Sequence, residues 1–200
     1  MTNKIGISCI ALGFLFIIAS VGLIIYNYFE AKNAENTSKS MLQSVQETII
    51  YSQYEEDVDD GKIEEEEAPF EIPLTQVNGY DCIGVISIPV LELELPVLTD
   101  WSYAKLKIAP CVYYGTYLEE NFVIAAHNYK AHFGRFSELR QGDIILFTDV
   151  SGTVHCYEVV LIETLPGEAT EQMITSGFDL SLYTCTQSGM GRVTVRCSRI

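Results

Sequence analysis

The chain has 200 residues, an apolar fraction of 48% and a formal net charge of −15, which fit one globular domain with appended segments. The negative charge argues against nucleic acid as a partner, because the phosphates would be repelled. Much of the acidity lies in one segment, residues 55–67, so the net charge says little about the folded domain itself.

The first predicted element is an apolar segment, residues 5–29, which contains no charged residue. It is long enough to cross a bilayer as a helix. A cleaved signal peptide is the alternative, but apolar residues continue past the small residues at 19–22. We therefore expect residues 1–29 to form a cytoplasmic amino terminus and a retained single-pass anchor. Lys4 precedes the segment and Glu30 follows it, so the positive-inside rule predicts that the rest of the chain lies outside.

Residues 30–73 are predicted to form an extracellular acidic stalk. Within it, residues 40–54 place apolar side chains near helical spacing, which predicts a short amphipathic helix. Residues 55–67 are almost wholly acidic, and like charges keep such a segment extended and solvated. A plain spacer is the main interpretation of the stalk, and an acidic flap over a groove of the domain is the alternative.

Residues 74–200 form the predicted globular domain. Short alternating or apolar segments indicate strands at 81–89, 92–97, 112–117, 122–127, 144–147, 154–162, 180–185 and 192–196. Short helical turns are predicted at 102–107 and 136–139, and the loop 163–177 has room for one more. Many short strands with turn residues between them predict an all-β domain that closes, or nearly closes, into a barrel.

The last two predicted strands bring together residues with a chemical use. Cys185 ends one strand and Arg192 begins the next, after a connection that contains Gly189 and Gly191. A tight hairpin would hold a thiol nucleophile beside a cation that can stabilise an oxyanion. The alternative is a buried core cysteine next to a surface arginine.

A histidine adds to this pair. His127 ends the apolar segment 122–127, and an imidazole at the end of a strand is a natural general acid or base near neutral pH. His132 and His155 are expected to be structural. A cysteine, a histidine and an arginine, each at the end of a predicted strand, are more specific together than any one of them alone.

These residues resemble the signature of the sortases, the cysteine transpeptidases of Gram-positive cell surfaces. The matching motifs are Leu-Tyr-Thr-Cys at 182–185, Arg-Val-Thr-Val at 192–195, and a histidine after an apolar strand. The resemblance covers residues 81–200 and implies a closed eight-stranded β-barrel with short helices, the catalytic domain being residues 74–200. Ser181 stands where the family usually has threonine, a mild departure because this residue only supports the strand.

The resemblance also implies roles for individual residues. Cys185 would form a thioester, His127 would move protons, and Arg192 would hold the oxyanion or substrate carbonyls, with Arg196 on the same strand face as the runner-up. Thr184 either orients the substrate or packs the strand. The implied substrate is a secreted protein with a Leu-Pro-x-Thr-Gly-like sorting motif, and the implied acceptor is an amine of a peptidoglycan precursor or a pilin. Two alternatives are a catalytically silent surface-binding barrel and a simple hydrolytic cysteine protease.

No cofactor is expected. The chain has no Cys-x-x-Cys motif, so a thioredoxin-like redox site is not predicted, and the histidines lack zinc-site spacing. The remaining extracellular cysteines are expected to be small core residues, or to pair in an oxidising exterior: Cys82, Cys111, Cys156 and Cys197. Some sortases bind calcium through acidic loops, and the weak candidates here are Glu119, Glu120, Glu168 and Glu171.

Overall fold

The computed structural model describes residues 2–56 and 72–200, so most of the acidic segment 55–67 lies outside the described residues. The α-helices in these ranges are α1 (Thr2–Glu56), α2 (Tyr103–Leu106) and α3 (Thr170–Ile174), and short 3-10 turns span Pro89–Leu91 and Phe136–Glu138. The strands are β1 (Thr75–Val77), β2 (Tyr80–Ile88), β3 (Leu93–Leu98), β4 (Cys111–Tyr114), β5 (Phe122–Ala125), β6 (Ile144–Asp149), β7 (Val154–Pro166), β8 (Leu180–Cys185) and β9 (Gly191–Arg199).

The strands close into a barrel. Their order is β1-β2-β3-β4-β5-β8-β9-β7-β6, and β6 also pairs with β2. Strands β2 to β9 therefore form a ring of eight, and β1 is added to β2 through a tight Asn78-Gly79 turn in which both residues have positive φ. The β3–β4 and β5–β8 pairs are parallel and the others antiparallel. The predicted closed eight-stranded barrel is confirmed.

Strand β5 shows why some strands appear in the sequence as continuous apolar segments. Phe122 and Ile124 point into the barrel core, whereas Val123 and Ala125 pack in a separate cluster with Met173 of α3. All four β5 residues are fully buried. Because both faces of the strand are covered, no position is left for a polar residue, and the period-two alternation disappears.

The chain divides into two compact units, residues 1–33 and residues 34–200. The first unit is the amino-terminal part of α1, and from residue 6 onward nearly all its large apolar side chains are exposed, for example Ile10, Phe14 and Ile18. Helix α1 is the one described helix that is long and apolar enough to cross a membrane. This part of the chain is a candidate membrane anchor.

In the second unit, the rest of α1 packs on the barrel. Met41, Val45 and Ile49 recur every four residues and are buried. They belong to one apolar cluster with residues of β1 to β4 and the segment before β4, namely Val77, Cys82, Val85, Leu98, Ala109 and Cys111. The hydroxyl of Ser52 donates to the carbonyl of Val150 at 3.1 Å. The amphipathic helix predicted at 40–54 is thus part of a longer helix, and its apolar stripe lies on the barrel.

Several predicted strands differ in length from the structure, and two of them show the physical reason. The strand predicted at 112–117 ends at Tyr114, because Gly115 has a φ of 68° and a Cβ there would lie 2.7 Å from the carbonyl oxygen of Asn121. The strand predicted at 154–162 continues to Pro166, since β7 pairs with β9 over nine registered positions. Both differences arise from contacts with residues outside the predicted segment.

Candidate active site

The hairpin of β8 and β9 places Cys185 directly opposite Arg192. The connection between the strands is held by its own hydrogen bonds. The N–H of Gly189 donates to the carbonyl of Thr186 at 2.9 Å, and the N–H of Gly191 donates to the Thr186 hydroxyl at 3.1 Å. The Arg192 guanidinium donates to the carbonyls of Gly189 and Gly191 at 3.3 and 3.1 Å. The structure thus brings thiol and guanidinium to the same end of the hairpin.

His127 reaches the same place because β5 lies parallel to β8. In the register of this pair, Ala125 is opposite Tyr183. One residue further, the N–H of Ala126 donates to the carbonyl of Tyr183 at 3.1 Å, and the Thr184 hydroxyl donates to the carbonyl of Ala126 at 2.9 Å. Parallel strands end at a common edge, so His127 leaves β5 beside the end of β8. Thr184 is buried, and its hydroxyl links β8 to the residue that follows β5.

A cavity of about 350 Å³ contains His127, Cys185 and Arg192 in its lining. We call it the first cavity. Aromatic side chains form much of its wall: Trp101, Tyr103, Tyr113 and Tyr183. Neighbouring rings touch, with centroids 5.4 Å apart for Trp101 and Tyr113 and 5.2 Å apart for Tyr113 and Tyr183. Burial raises the pKa of the Tyr183 hydroxyl, which therefore stays neutral. The first cavity suits an apolar peptide segment that ends at the thiol.

A smaller cavity of about 200 Å³ also has Cys185 in its lining. We call it the second cavity. Cys185 and Asn128 line both cavities. The rest of its lining is Phe133, Gly134, Phe136, Ser137, Thr184, Gln187 and Val193. Cys185 therefore borders two cavities, a feature that the sequence did not reveal.

The loop after β5 folds back onto His127. The Tyr129 ring stacks on the His127 ring, with centroids 4.0 Å apart and planes within 20°. The fold-back needs Gly134, because a Cβ there would lie 2.3 Å from the carbonyl oxygen of Asn128. Sequence reasoning missed Tyr129, whose only signal was an aromatic residue two positions after the histidine.

Behind this stack lies His132, which is fully buried and 5.6 Å from Tyr129 between ring centroids. Within the described parts of the chain, neither of its ring nitrogens has a hydrogen-bond partner. Burial, and secondarily the charge of His127, lowers the pKa of His132 to about 4. His132 is therefore uncharged at neutral pH.

Arg196, the alternative candidate for the arginine role, lines neither cavity. It is 2% exposed, and its guanidinium donates to Glu163 at 2.9 Å, to the Ser181 hydroxyl at 2.8 Å and to the Gln172 carbonyl at 2.8 Å. These contacts fasten the connection that carries α3 to strands β7 and β8. Arg196 is thus a structural cation, and Arg192 is the arginine that faces the thiol.

The other candidates from the sequence are dispersed. The four glutamates considered for calcium are exposed: Glu119, Glu120, Glu168 and Glu171. Across residues 2–56 and 72–200, no three or more His, Cys, Asp or Glu side chains are grouped to hold a metal ion. All six cysteines are free thiols. Burial raises the pKa of Cys82 to about 11 and the pKa values of Cys111 and Cys197 to about 12, so these thiols are unreactive near neutral pH.

A comparison with models of protein families agrees with the fold and with the candidate site. A family model for the sortase domain matches residues 86–200. The chain belongs to the sortase family. Sortases are cell-surface cysteine transpeptidases of Gram-positive bacteria that anchor or polymerise surface proteins.

Three sortases illustrate the likeness. Sortase A from Bacillus anthracis is 27% identical over 189 residues, which are 92% of this chain and 89% of that protein. Sortase C1 from Streptococcus suis has 27% identity and a TM-score of 0.53, covering 60% of this chain and 73% of that one. The sortase D5 transpeptidase from Clostridium perfringens has a TM-score of 0.61 and covers 82% of this chain and 99% of that one, although the identity is only 21%. The two solved structures belong to different sortase classes, and the feature that they share with this chain is the β-barrel fold.

Proposed function

We propose that this sortase is a membrane-anchored transpeptidase that cleaves a Leu-Pro-x-Thr-Gly-like motif and transfers the acyl group to an amine of a peptidoglycan precursor or a pilin. The observation that carries the proposal is the common lining of the first cavity by Cys185, His127 and Arg192. Three different strands deliver these side chains to one opening. Such convergence is what acyl transfer through a thioester requires.

The first step is acylation. The thiolate of Cys185 attacks the carbonyl carbon of the threonine in the motif, and the tetrahedral oxyanion is stabilised by the Arg192 guanidinium. The carbon–nitrogen bond then breaks, and His127 gives its proton to the departing amine. A carbon–sulfur bond has replaced a carbon–nitrogen bond, and His127 is left neutral.

The second step is resolution. An incoming amine attacks the thioester carbonyl and loses its proton to His127. The carbon–sulfur bond breaks, and the Cys185 thiolate is regenerated beside the imidazolium. Thr184 positions this chemistry through its hydrogen bond between β8 and β5. The aromatic wall of the first cavity supports binding of the Leu-Pro part of the motif, because rings pack well against aliphatic side chains.

The test is a comparison of two cysteine variants with a peptide that carries the motif. Cys185→Ala in the full chain should abolish both peptide cleavage and the mass increase of the acyl-enzyme. Cys156→Ala, at another half-buried free cysteine that lies outside both cavities, should retain both. Cleavage that persists in Cys185→Ala would refute the assignment of the nucleophile.

The two other hypotheses are separated by products. A hydrolytic protease would release only the free acid when an amine is added, and a silent barrel would release nothing.

The proposed anchor is the apolar amino-terminal part of α1, with the amino terminus in the cytoplasm and the barrel outside. Protease added to intact cells should therefore degrade the barrel. Protection of the barrel until the membrane is broken would reverse the proposed orientation.

A further inference from the structure

We propose that Arg196 is a positioning residue for the motif peptide. Its buried guanidinium fixes the connection between β7 and β8, and through Met173 of α3 it fixes the part of the first cavity that Tyr183 forms. This inference rests on the proposed transpeptidase function, because the first cavity is the proposed site of the motif peptide. It gives a buried side chain outside the cavity an effect on substrate affinity.

The strands that the guanidinium joins are the first argument. Arg196 lies opposite Ser181 in the β8–β9 pair, and its side chain points away from the core, to which its neighbours Val195 and Cys197 belong. Its side chain is only 2% exposed. It donates to the Ser181 hydroxyl at 2.8 Å and to the Glu163 carboxylate at 2.9 Å. One side chain of β9 therefore links both neighbouring strands, β8 and β7.

The same guanidinium also holds α3. It donates to the carbonyl of Gln172 at 2.8 Å and to the carbonyl of Met173 at 3.4 Å. Both carbonyls belong to a helix of only five residues, and the last carbonyls of a helix have no partner within it. A helix this short is marginal without tertiary contacts. Arginine suits the task, because its five N–H groups reach several acceptors in one plane.

Met173 extends the effect to the first cavity. Its side chain is buried and packs in one apolar cluster with Val123, Ala125 and Tyr183. Ala125 and Tyr183 also line the first cavity, whereas Met173 does not, so Met173 packs on them from outside the cavity. Because protein interiors are closely packed, a shift of Met173 would move the Tyr183 ring.

The start of the connection meets the site as well. Gly167 lines the first cavity, and its N–H donates to the carbonyl of Met190 at 2.9 Å. A Cβ at Gly167 would lie 3.1 Å from that carbonyl oxygen and 3.7 Å from a guanidinium nitrogen of Arg192. The connection thus borders the cavity at Gly167 and supports it through Met173. A displacement of about 1 Å in such a site is enough to weaken productive binding.

The alternative is that the contacts of Arg196 only stabilise the fold. Removing one partner of a buried ion pair is destabilising in either case, so a loss of stability does not separate the two interpretations. The affinity for the motif peptide does separate them. A purely structural cation would leave the KM of the folded fraction unchanged, whereas a positioning residue would raise it.

The test makes the same substitution at two arginines of β9. Arg196→Met removes the guanidinium that holds α3. Arg199→Met is the matched control, because the Arg199 guanidinium contacts the Tyr117 carbonyl and the Tyr157 ring, and neither residue lines the first cavity. Both variants are measured as full chains in lipid nanodiscs, at a temperature at which circular dichroism shows them to be folded.

We expect Arg196→Met to raise the KM for the motif peptide by about tenfold and to leave kcat within about threefold of the wild-type value. Arg199→Met should change neither constant by more than about twofold. A wild-type KM in Arg196→Met, or an equal rise in both variants, would overturn the proposal.

If Arg196→Met does not fold, Glu163→Gln decides the question. This substitution removes the negative charge but keeps an acceptor oxygen, and the Glu163 side chain is 31% exposed. It should raise the KM by about threefold. Glu158→Gln, at a half-buried glutamate of the same strand, is the control and should keep the wild-type KM. An unchanged KM in Glu163→Gln would then refute the inference.

Two measurements do not depend on turnover. Hydrogen exchange, followed by mass spectrometry, should be faster by about tenfold or more at residues 167–178 of Arg196→Met than in the wild-type chain, and unchanged in β2 and β3. The motif peptide should bind about tenfold more weakly to the double variant Cys185→Ala, Arg196→Met than to Cys185→Ala.

These measurements separate this inference from the proposed function. If the wild-type chain forms no acyl-enzyme, the transpeptidase proposal fails, and the binding comparison still tests the role of Arg196. Equal peptide affinities in the two Cys185→Ala chains would overturn that role, whatever the activity of the wild-type chain.

Discussion

At the scale of single residues, the stack of Tyr129 on His127 bears directly on proton transfer. An imidazolium lying over the electron-rich face of an aromatic ring is stabilised by about 0.5–2 kcal/mol, which corresponds to about 0.4–1.5 pKa units. The centroid distance of 4.0 Å and the near-parallel planes fit the geometry of this interaction. In the proposed mechanism, Tyr129 would therefore position the His127 ring and favour its charged form.

We predict that Tyr129→Leu lowers the pKa of His127 by about half a unit to one unit, whereas Tyr129→Phe, which keeps the ring, leaves it near the wild-type value. The measurement is a pH titration of the His127 ring protons by nuclear magnetic resonance in the full chain. The other titratable groups at the site are unchanged in both variants: Tyr103, Lys107, Tyr113, His132, Tyr183, Cys185 and Arg192. A purely structural role for Tyr129 would lower activity without moving this pKa.

The buried His132 leads to a second prediction, which concerns how the stability of the fold depends on pH. Its pKa is about 4 in the folded protein and about 6.5 in the unfolded chain, so the unfolded state binds more protons between these values. The stability contributed by the neutral ring is fully present above pH 6.5 and is lost as the pH falls toward 4. At about pH 4.5 the loss amounts to roughly 2–3 kcal/mol.

Replacing His132 with Phe should remove this dependence. We expect the free energy of unfolding of the wild-type chain to fall by about 2–3 kcal/mol more than that of His132→Phe between about pH 7 and pH 4.5. Denaturant unfolding at the two pH values measures the difference, and the carboxylates common to both chains cancel. Equal losses in the two chains would mean that folding does not lower the pKa of His132.

At the scale of secondary-structure elements, strands were easier to predict than the surfaces that cover them. Strands β2, β5, β8 and β9 follow from local runs of β-branched and aromatic residues bounded by turns. The stripe of Met41, Val45 and Ile49 was visible as a helical pattern, but its partner was not. That partner is assembled from strands and a loop that are distant in sequence, so only the folded barrel defines the surface on which α1 lies.

Two neighbouring isoleucines of α1 test the importance of this packing. Ile49 is 8% exposed and belongs to the apolar cluster, whereas Ile50 is 51% exposed. We predict that Ile49→Ala destabilises the barrel unit by about 2–4 kcal/mol, whereas Ile50→Ala changes its stability by less than about 0.5 kcal/mol. Fluorescence of Trp101, the single tryptophan of the chain, reports unfolding. Similar effects of the two substitutions would show that the helix does not brace the barrel.

At the scale of the whole molecule, the proximity of the three proposed catalytic residues was predictable to different degrees. Cys185 and Arg192 share one hairpin, so their proximity follows from local sequence. His127 joins them only through the parallel pairing of β5 and β8, which are separated by β6, β7 and α3. Such a crossover leaves no local signal of proximity. The end of an apolar strand indicated His127 as a candidate acid or base, and the resemblance to sortases placed it with the other two residues. The second cavity is formed by three separate segments, and no pattern in the sequence predicted it.

The six thiols of the chain make the last prediction, because the fold gives each a different environment. Cys82, Cys111 and Cys197 are buried, and burial raises their pKa values to about 11 or 12, so hardly any thiolate is present near neutral pH. Cys185 borders two open cavities beside an imidazole and a guanidinium.

We predict that limiting iodoacetamide modifies Cys185 at least about tenfold faster than any of the three buried thiols, as measured by peptide mass spectrometry. Cys156, which is half-buried outside both cavities, separates the effect of simple exposure from that of the site. Preincubation with the motif peptide should protect Cys185 and leave Cys156 unchanged, and protection of both thiols would point to a general change in the barrel instead of occupancy of the first cavity.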